Sequence, residues 1–192
     1  RGSLRASPVS PAGTRAAVSD KFVVGVRMTG TEHMPGGITI DESTRMARMA
    51  VEEGLDYVHL TGGCWEAARW DLPEEDNTML AEGQAMKAAL PIPVITPGFH
   101  KPENVEAAIT GGGADVVSLC RPLIADAEWA NKVAAGQTDK IRKCIRCIAC
   151  LQRVRRNLPL RCEVNREVGM ERYRPENWRI NAPGHKDFRL PG

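Results

Sequence analysis

Long apolar runs are missing from this chain of 192 residues, and no stretch approaches the length of a membrane span. An excess of one charge is missing too. The formal net charge is +2, which supplies no field for nucleic acid or for an anionic membrane surface. No G-x-G-x-x-G follows a strand-like run, so the fingerprint of a dinucleotide-binding βαβ unit is absent. There is no heptad pattern, no low-complexity tract and no visible signal peptide. Six cysteines without such a signal suit a reducing, cytoplasmic setting better than a secreted scaffold. What remains is ordinary for a globular protein, with 42% hydrophobic and 26% charged residues, and enough chain for one domain with a core. The first residue is Arg1 rather than Met, as expected of a piece of a longer coding region.

Four of the cysteines carry most of the chemistry. They read Cys144-x2-Cys147-x2-Cys150, followed eleven residues later by Cys162. Three thiols so close in sequence are poorly placed to bridge one another, but they can wrap one face of a cubane, and a distant fourth closes it. This is ligand spacing for a [4Fe–4S] cluster, and hence for electron transfer. All-cysteine zinc is the alternative, although zinc sites usually pair two C-x2-C knuckles rather than a triplet and a singlet. Basic residues crowd the same stretch, from 140 to 161. Positive charge near a thiolate-ligated cluster raises its potential; a solvated basic face is the plain alternative.

Residues 1–20 hold Pro8, Pro11 and Gly13 and read as an irregular lead. From residue 22 onward, short β-branched runs alternate with helix-length segments. Strands are expected over 22–28, 56–61, 93–96 and 114–120. Helices are expected over 41–53 and 77–90, from Pro102 to the glycines at 111–113, and from an Asp126 cap to about 135. A loop covers 64–76, and 179–192 is linker-like. Four consecutive βα units imply an α/β fold with a parallel sheet. They make either a small open sheet or half of an eight-stranded barrel, since a whole barrel takes about 250 residues. Half a barrel leaves two unpaired parallel edges, which a homo-oligomer or the missing half of the barrel would cover.

The strand ends FVVGVRMTG, DYVHLTGG and PVITPGF, the motif LCRPLIAD, and the quartet CIRCIAC…CEVN resemble the old yellow enzyme family. The similarity is to its iron–sulfur branch, which includes 2,4-dienoyl-CoA reductase, 2-enoate reductase, trimethylamine dehydrogenase and related NADH:flavin oxidoreductases. The resemblance spans about Phe22 to Trp178. It implies that residues 21–138 are the C-terminal half of an FMN-binding TIM (β/α)8 barrel, and that 139–178 form the [4Fe–4S] segment. The opening RGSL resembles a GGSLENR loop of the family whose remainder is replaced here by a Pro- and Ser-rich stretch, as expected of a truncated or frame-disturbed region.

The same resemblance assigns roles. Arg27, late on an otherwise apolar strand, corresponds to an arginine facing the pyrimidine end of FMN; read alone, it is equally a partner for a barrel carboxylate. Gly98, Phe99, Cys120 and Arg121 lie where the family holds the FMN phosphate, with Cys120 in place of the usual small residue. Cys144, Cys147, Cys150 and Cys162 correspond to the cluster ligands. Glu66 falls near a family histidine that helps protonate or hold substrate, and is the sole catalytic candidate, with a solvated loop carboxylate as its plain alternative. His59 reads as a core histidine, and His33 and His100 as strand-end residues, His100 near the cofactor. The implied parent uses FMN, a [4Fe–4S] cluster, NAD(P)H and, in some relatives, FAD. It would reduce small-molecule C=C bonds conjugated to a carbonyl, with the polarising His/Asn pair and the tyrosine acid upstream of this chain. Amine oxidation is the alternative, favoured by the two-residue gaps of the thiol triplet. A noncatalytic cluster-binding electron carrier is a third. The isolated chain is expected to be incomplete and inactive.

Overall fold

The computed structural model describes residues 10–63 and 75–170. Four parallel strands form one sheet in sequential order: β1 (Gly25–Thr31), β2 (Tyr57–Gly62), β3 (Val94–Thr96) and β4 (Val116–Val117). The register places Arg27 beside His59, His59 beside Ile95, and Ile95 beside Val116. Side chains alternate between faces along a strand. On β2, Val58, Leu60 and Gly62 are therefore buried on one face, while Tyr57, His59 and Thr61 turn to the other.

The buried face is covered by α2 (Ile40–Glu52) and α3 (Leu80–Ala89). Val58, Leu60 and Val94 pack there against Ala47, Met86 and Leu90. α2 starts with a reciprocal capping box, in which Thr39 and Glu42 satisfy each other's backbone donors. Gly83 lets α3 approach the sheet, since a Cβ there would stand 2.4 Å from the Thr96 hydroxyl. α4 (Pro102–Thr110) follows β3, and a second core of Phe99, Ala108 and Ala114 lies beneath it.

Several boundaries differ from expectation. The lead is not irregular throughout: α1 (Pro11–Ala17) forms, with Ser10 as its N-cap and Pro11 in its first turn. It is held by Arg15, whose guanidinium donates to Phe22 O at 2.7 Å and Gly54 O at 2.9 Å and pairs with Asp56. β1 runs from Gly25 to Thr31, three residues later at each end than expected. β4 has only two residues in the ladder, because the Asp115 carboxylate, rather than backbone, takes the Val94 N–H at 3.0 Å. The helix expected at 126–135 starts three residues later. A short α5 (Arg121–Ala125) precedes Asp126, and α6 (Trp129–Ala134) follows it. Asp126 Oδ1 still accepts the Glu128 N–H at 3.1 Å, as a cap would.

Beyond a 3-10 turn (Thr138–Lys140), the thiol segment contains one helix, α7 (Ala149–Arg155). Polar ties attach it to the body. The Arg142 N–H donates to Asp126 Oδ2 at 2.8 Å, and Asn165 Nδ2 donates to Ile124 O at 2.8 Å. Among the described residues, no helix is long and apolar enough to cross a membrane. Glu66, most of the 64–76 loop and residues 179–192 lie outside the described residues.

Candidate functional site

The C-terminal ends of the four strands and the face of α7 enclose a cavity of about 660 Å3. Arg27, Gly98, Phe99, Cys120 and Arg121 all line it, as do His59 and His100, and Cys150 closes it from the thiol segment. His33 and the other three cysteines of the quartet are not among its walls.

Each side chain arrives by a local cause. Arg27 and His59 share the face of the sheet turned away from α2 and α3, because strand pairing places them side by side. Among the described residues no carboxylate forms an ion pair with Arg27, so the barrel-carboxylate role has no partner here. His59 Nε2 is 3.0 Å from Ser118 Oγ. Burial, then the Arg27 charge, lowers its pKa and keeps the ring neutral near pH 7. Gly98 has φ +97°, a conformation that glycine adopts without cost, and its carbonyl accepts the Asn77 N–H at 2.8 Å. That contact brings Thr78 to the cavity. Phe99 is 1% exposed and packs in the second core.

Three polar atoms of the cavity lining, Arg121 Nη1, His100 Nε2 and Thr78 Oγ1, are buried and have no hydrogen-bond partner among the described residues. A buried guanidinium N–H without an acceptor is costly, so the lining around Arg121 has the chemistry of an anion subsite. His100 is held from behind, its Nδ1 3.2 Å from Asp76 Oδ1. Burial, followed by the charges of Arg121 and Arg146, lowers the His100 pKa, and these outweigh the opposing pull of Asp76. Asp76 itself also accepts from Lys101 N at 3.1 Å and Asn104 Nδ2 at 2.7 Å. Burial raises its pKa, but these donors more than cancel that and hold it below the ordinary carboxylate value. Sequence reasoning missed Asp76 and Thr78. Neither belongs to a recognisable motif, and both become relevant only when the Gly98 loop folds against them.

The thiols come from a loop with unusual backbone. Arg146 (φ 57°) and Ile148 (φ 53°) both adopt the left-handed region, which is rare for a β-branched residue such as isoleucine. This winding turns the Arg146 N–H toward Cys144 Sγ, at 3.4 Å. Burial raises the Cys150 pKa. The Leu151 N–H opposes this, and the charges of Cys144, Cys162 and Cys147 add to it, so all four thiols share one electrostatic neighbourhood. Among the described residues, no three His, Cys, Asp or Glu side chains are grouped closely enough to hold a single metal ion.

Comparison with known proteins agrees with the fold and the cavity. The model of the NADH:flavin oxidoreductase / NADH oxidase family matches residues 13–140. An NADH oxidase of Thermoanaerobacter brockii is 37% identical over 163 residues, covering 82% of this chain and 25% of that protein. A cinnamate reductase of Clostridium sporogenes is 31% identical over 141 residues, covering 71% of this chain and 21% of that protein. Among solved structures, a 2-naphthoyl-CoA reductase in complex with 2-naphthoyl-CoA superposes with a TM-score of 0.79 at 26% identity, covering 84% of this chain and 25% of that one. The chain thus spans about a quarter of the length of these relatives. A parallel four-stranded α/β sheet, a cavity at its strand ends and these matches together mean that the chain belongs to the NADH:flavin oxidoreductase / NADH oxidase family, in the iron–sulfur branch of the old yellow enzymes.

Proposed function

We propose that the chain is the C-terminal half-barrel and cluster segment of an FMN- and [4Fe–4S]-dependent NAD(P)H:flavin oxidoreductase that reduces C=C bonds conjugated to a carbonyl. The observation that carries this reading is a cavity in which Arg121 Nη1 and Thr78 Oγ1 are buried without partners among the described residues, and whose lining also includes Cys150. A phosphate would accept from the Arg121 guanidinium and the Thr78 hydroxyl, and the thiol loop would lie beside the same cofactor.

When bound, the flavin supplies hydride transfer and the cluster single-electron transfer. The chain's own residues bind and orient. Arg121 offers a guanidinium to the phosphate, and Gly98, which needs no side-chain clearance, lets the backbone approach it. Arg27 presents positive charge from the strand floor, where it would favour an electron-rich ring. His59, kept neutral, holds Ser118 rather than delivering a proton. Cys144, Cys147, Cys150 and Cys162 would hold the cluster, with the Arg146 N–H directed at the Cys144 sulfur. The substrate class is supported by the named substrates of two relatives, a cinnamate and a naphthoyl thioester, both with unsaturation conjugated to a carbonyl. The two-residue gaps of the thiol triplet favour a second reading, amine oxidation, which assays of the parent protein with both substrate classes would separate.

The test is anaerobic reconstitution of this chain with iron, sulfide and FMN. The expected outcome is about four irons per chain, a broad visible absorption, weak FMN binding and no turnover. FMN should bind better than riboflavin, and Arg121→Gln should abolish that preference. A colourless chain retaining one zinc, or equal affinity for FMN and riboflavin, would refute the reading.

A further inference from the structure

One buried carboxylate joins the cavity to the thiol loop. Asp76 is 6% exposed at its side chain, and its oxygens are filled by donors from the segment after β3: the His100 and Lys101 N–H groups, His100 Nδ1 and Asn104 Nδ2. Its remaining partner comes from a different part of the chain. Arg146 Nη2 lies 3.7 Å from Asp76 Oδ1. Arg146 stands between Cys144 and Cys147 in the left-handed conformation that points its own N–H at Cys144 Sγ. Its guanidinium is 22% exposed, so most of it is withdrawn from water. The pair therefore runs from the wall that carries His100 to the middle of the thiol loop.

At 3.7 Å the pair is too long for a strong hydrogen bond, and its value as a fastener is modest. As a source of field it is well placed, because both side chains are mostly withdrawn from water and Arg146 belongs to the thiol loop itself. A nearby cation favours the more electron-rich state of a thiolate-ligated cluster, and a carboxylate behind that cation offsets part of the effect. We propose that Asp76 positions Arg146, and through it the thiol loop, against the cavity, and that the Arg146 charge thereby sets the reduction potential of the cluster. The proposal rests on the cluster reading above. Both are positioning residues, acting through the loop rather than on substrate.

The test uses the whole chain, reconstituted anaerobically with ferrous iron and sulfide and titrated by spectroelectrochemistry. Arg146→Gln should shift the midpoint potential downward. Arg146→Lys, which keeps the charge, should restore most of the shift. Asp76→Asn, which weakens the hold on Arg146, should quicken amide exchange over residues 144–150 in the metal-free chain. In the metal-free chain, amide hydrogen exchange over residues 144–150 should quicken in Arg146→Gln while β2 is unchanged. A cluster that assembles in wild type and in Arg146→Gln with the same potential overturns the tuning role. Unaltered exchange in Arg146→Gln overturns the positioning role. Failure of the wild-type chain to take up any cluster overturns the cluster reading and the tuning role with it. The exchange measurement needs no metal, and it decides the positioning role in either case. Should Asp76→Asn fail to fold, the Arg146 variants carry both measurements.

Discussion

Between β1 and β4 the chain buries Val58, Leu60, Met86 and Val94 beneath two helices, whereas from Thr138 to Met170 only Ile141 and Asn165 are buried. The sheet is an apolar layer with a regular ladder, and each side chain removed from water adds to its stability. α7 buries none of its residues, and the segment around it is attached through Asp126, Asn165 and Asp76. The first region can fold by hydrophobic burial. The second needs its polar anchors and, on the reading above, a metal cluster that contributes folding free energy directly.

The sharpest way to break this contrast is to remove a ligand. Cys162→Ala should abolish iron uptake, measured as iron per chain and visible absorption, while far-ultraviolet circular dichroism retains the signal of the sheet and its helices. If the sheet collapses as well, the two regions are not separable. Next in size is the sheet core. Leu60→Ala should cost about 2–5 kcal/mol, measured by denaturant unfolding. Third is the tether. Asp126 is 2% exposed and accepts from Lys132 Nζ at 2.6 Å as well as from the Arg142 N–H. Asp126→Ala should cost about 3 kcal/mol, because it leaves Lys132 unpaired. Amide exchange should show the loss first in residues 138–170.

The same tether gives a pH dependence. Burial pushes the Asp126 carboxyl up, but Lys132 and the Arg142 and Glu128 N–H groups outweigh it, so the pKa lies below its ordinary value. A carboxylate with a depressed folded pKa contributes stability that is present above the unfolded value and lost as pH falls through the folded one. Acidification from pH 6 to pH 3 should therefore release the thiol segment in wild type. In Asp126→Asn the same acidification should release it less steeply, as hydrogen exchange would show. The smallest expected effect is Thr39→Ala, which removes the α2 cap for about 1 kcal/mol of global stability and leaves iron uptake untouched.

How much of this was legible depends on what kind of signal each element carries. β2 and α2 could be read to within a residue, one from a short β-branched run and the other from a helix-length segment, although the α2 cap at Thr39 was not among the signals read. α1 was obscured by its prolines, although Ser10-Pro11 is itself a helix-start signal. β4 was overextended because nothing in its own residues announces that Asp115 will occupy the Val94 donor. Within the site, Gly98 and Arg121 were found through the family pattern, and the cysteines through spacing alone. Asp76 and Thr78 could not be found that way, because their importance lies in three-dimensional neighbours contributed by the Gly98 loop. Arg146 was visible only as one more basic residue in a crowded stretch. Its pairing with Asp76, seventy positions away in the chain, distinguishes it from the rest.

Among the described residues the sheet ends on both sides with a strand that has no further neighbour, β1 at one border and β4 at the other. On the half-barrel reading proposed above, a complement would run in the same direction as these strands and meet both borders at once. A rotation by half a turn about the axis of a closed ring preserves strand direction and sets β4 of one molecule beside β1 of its mate, twice over. Four strands and their duplicate make eight, so on that reading two identical pieces meet the same closure condition as the two halves of one barrel.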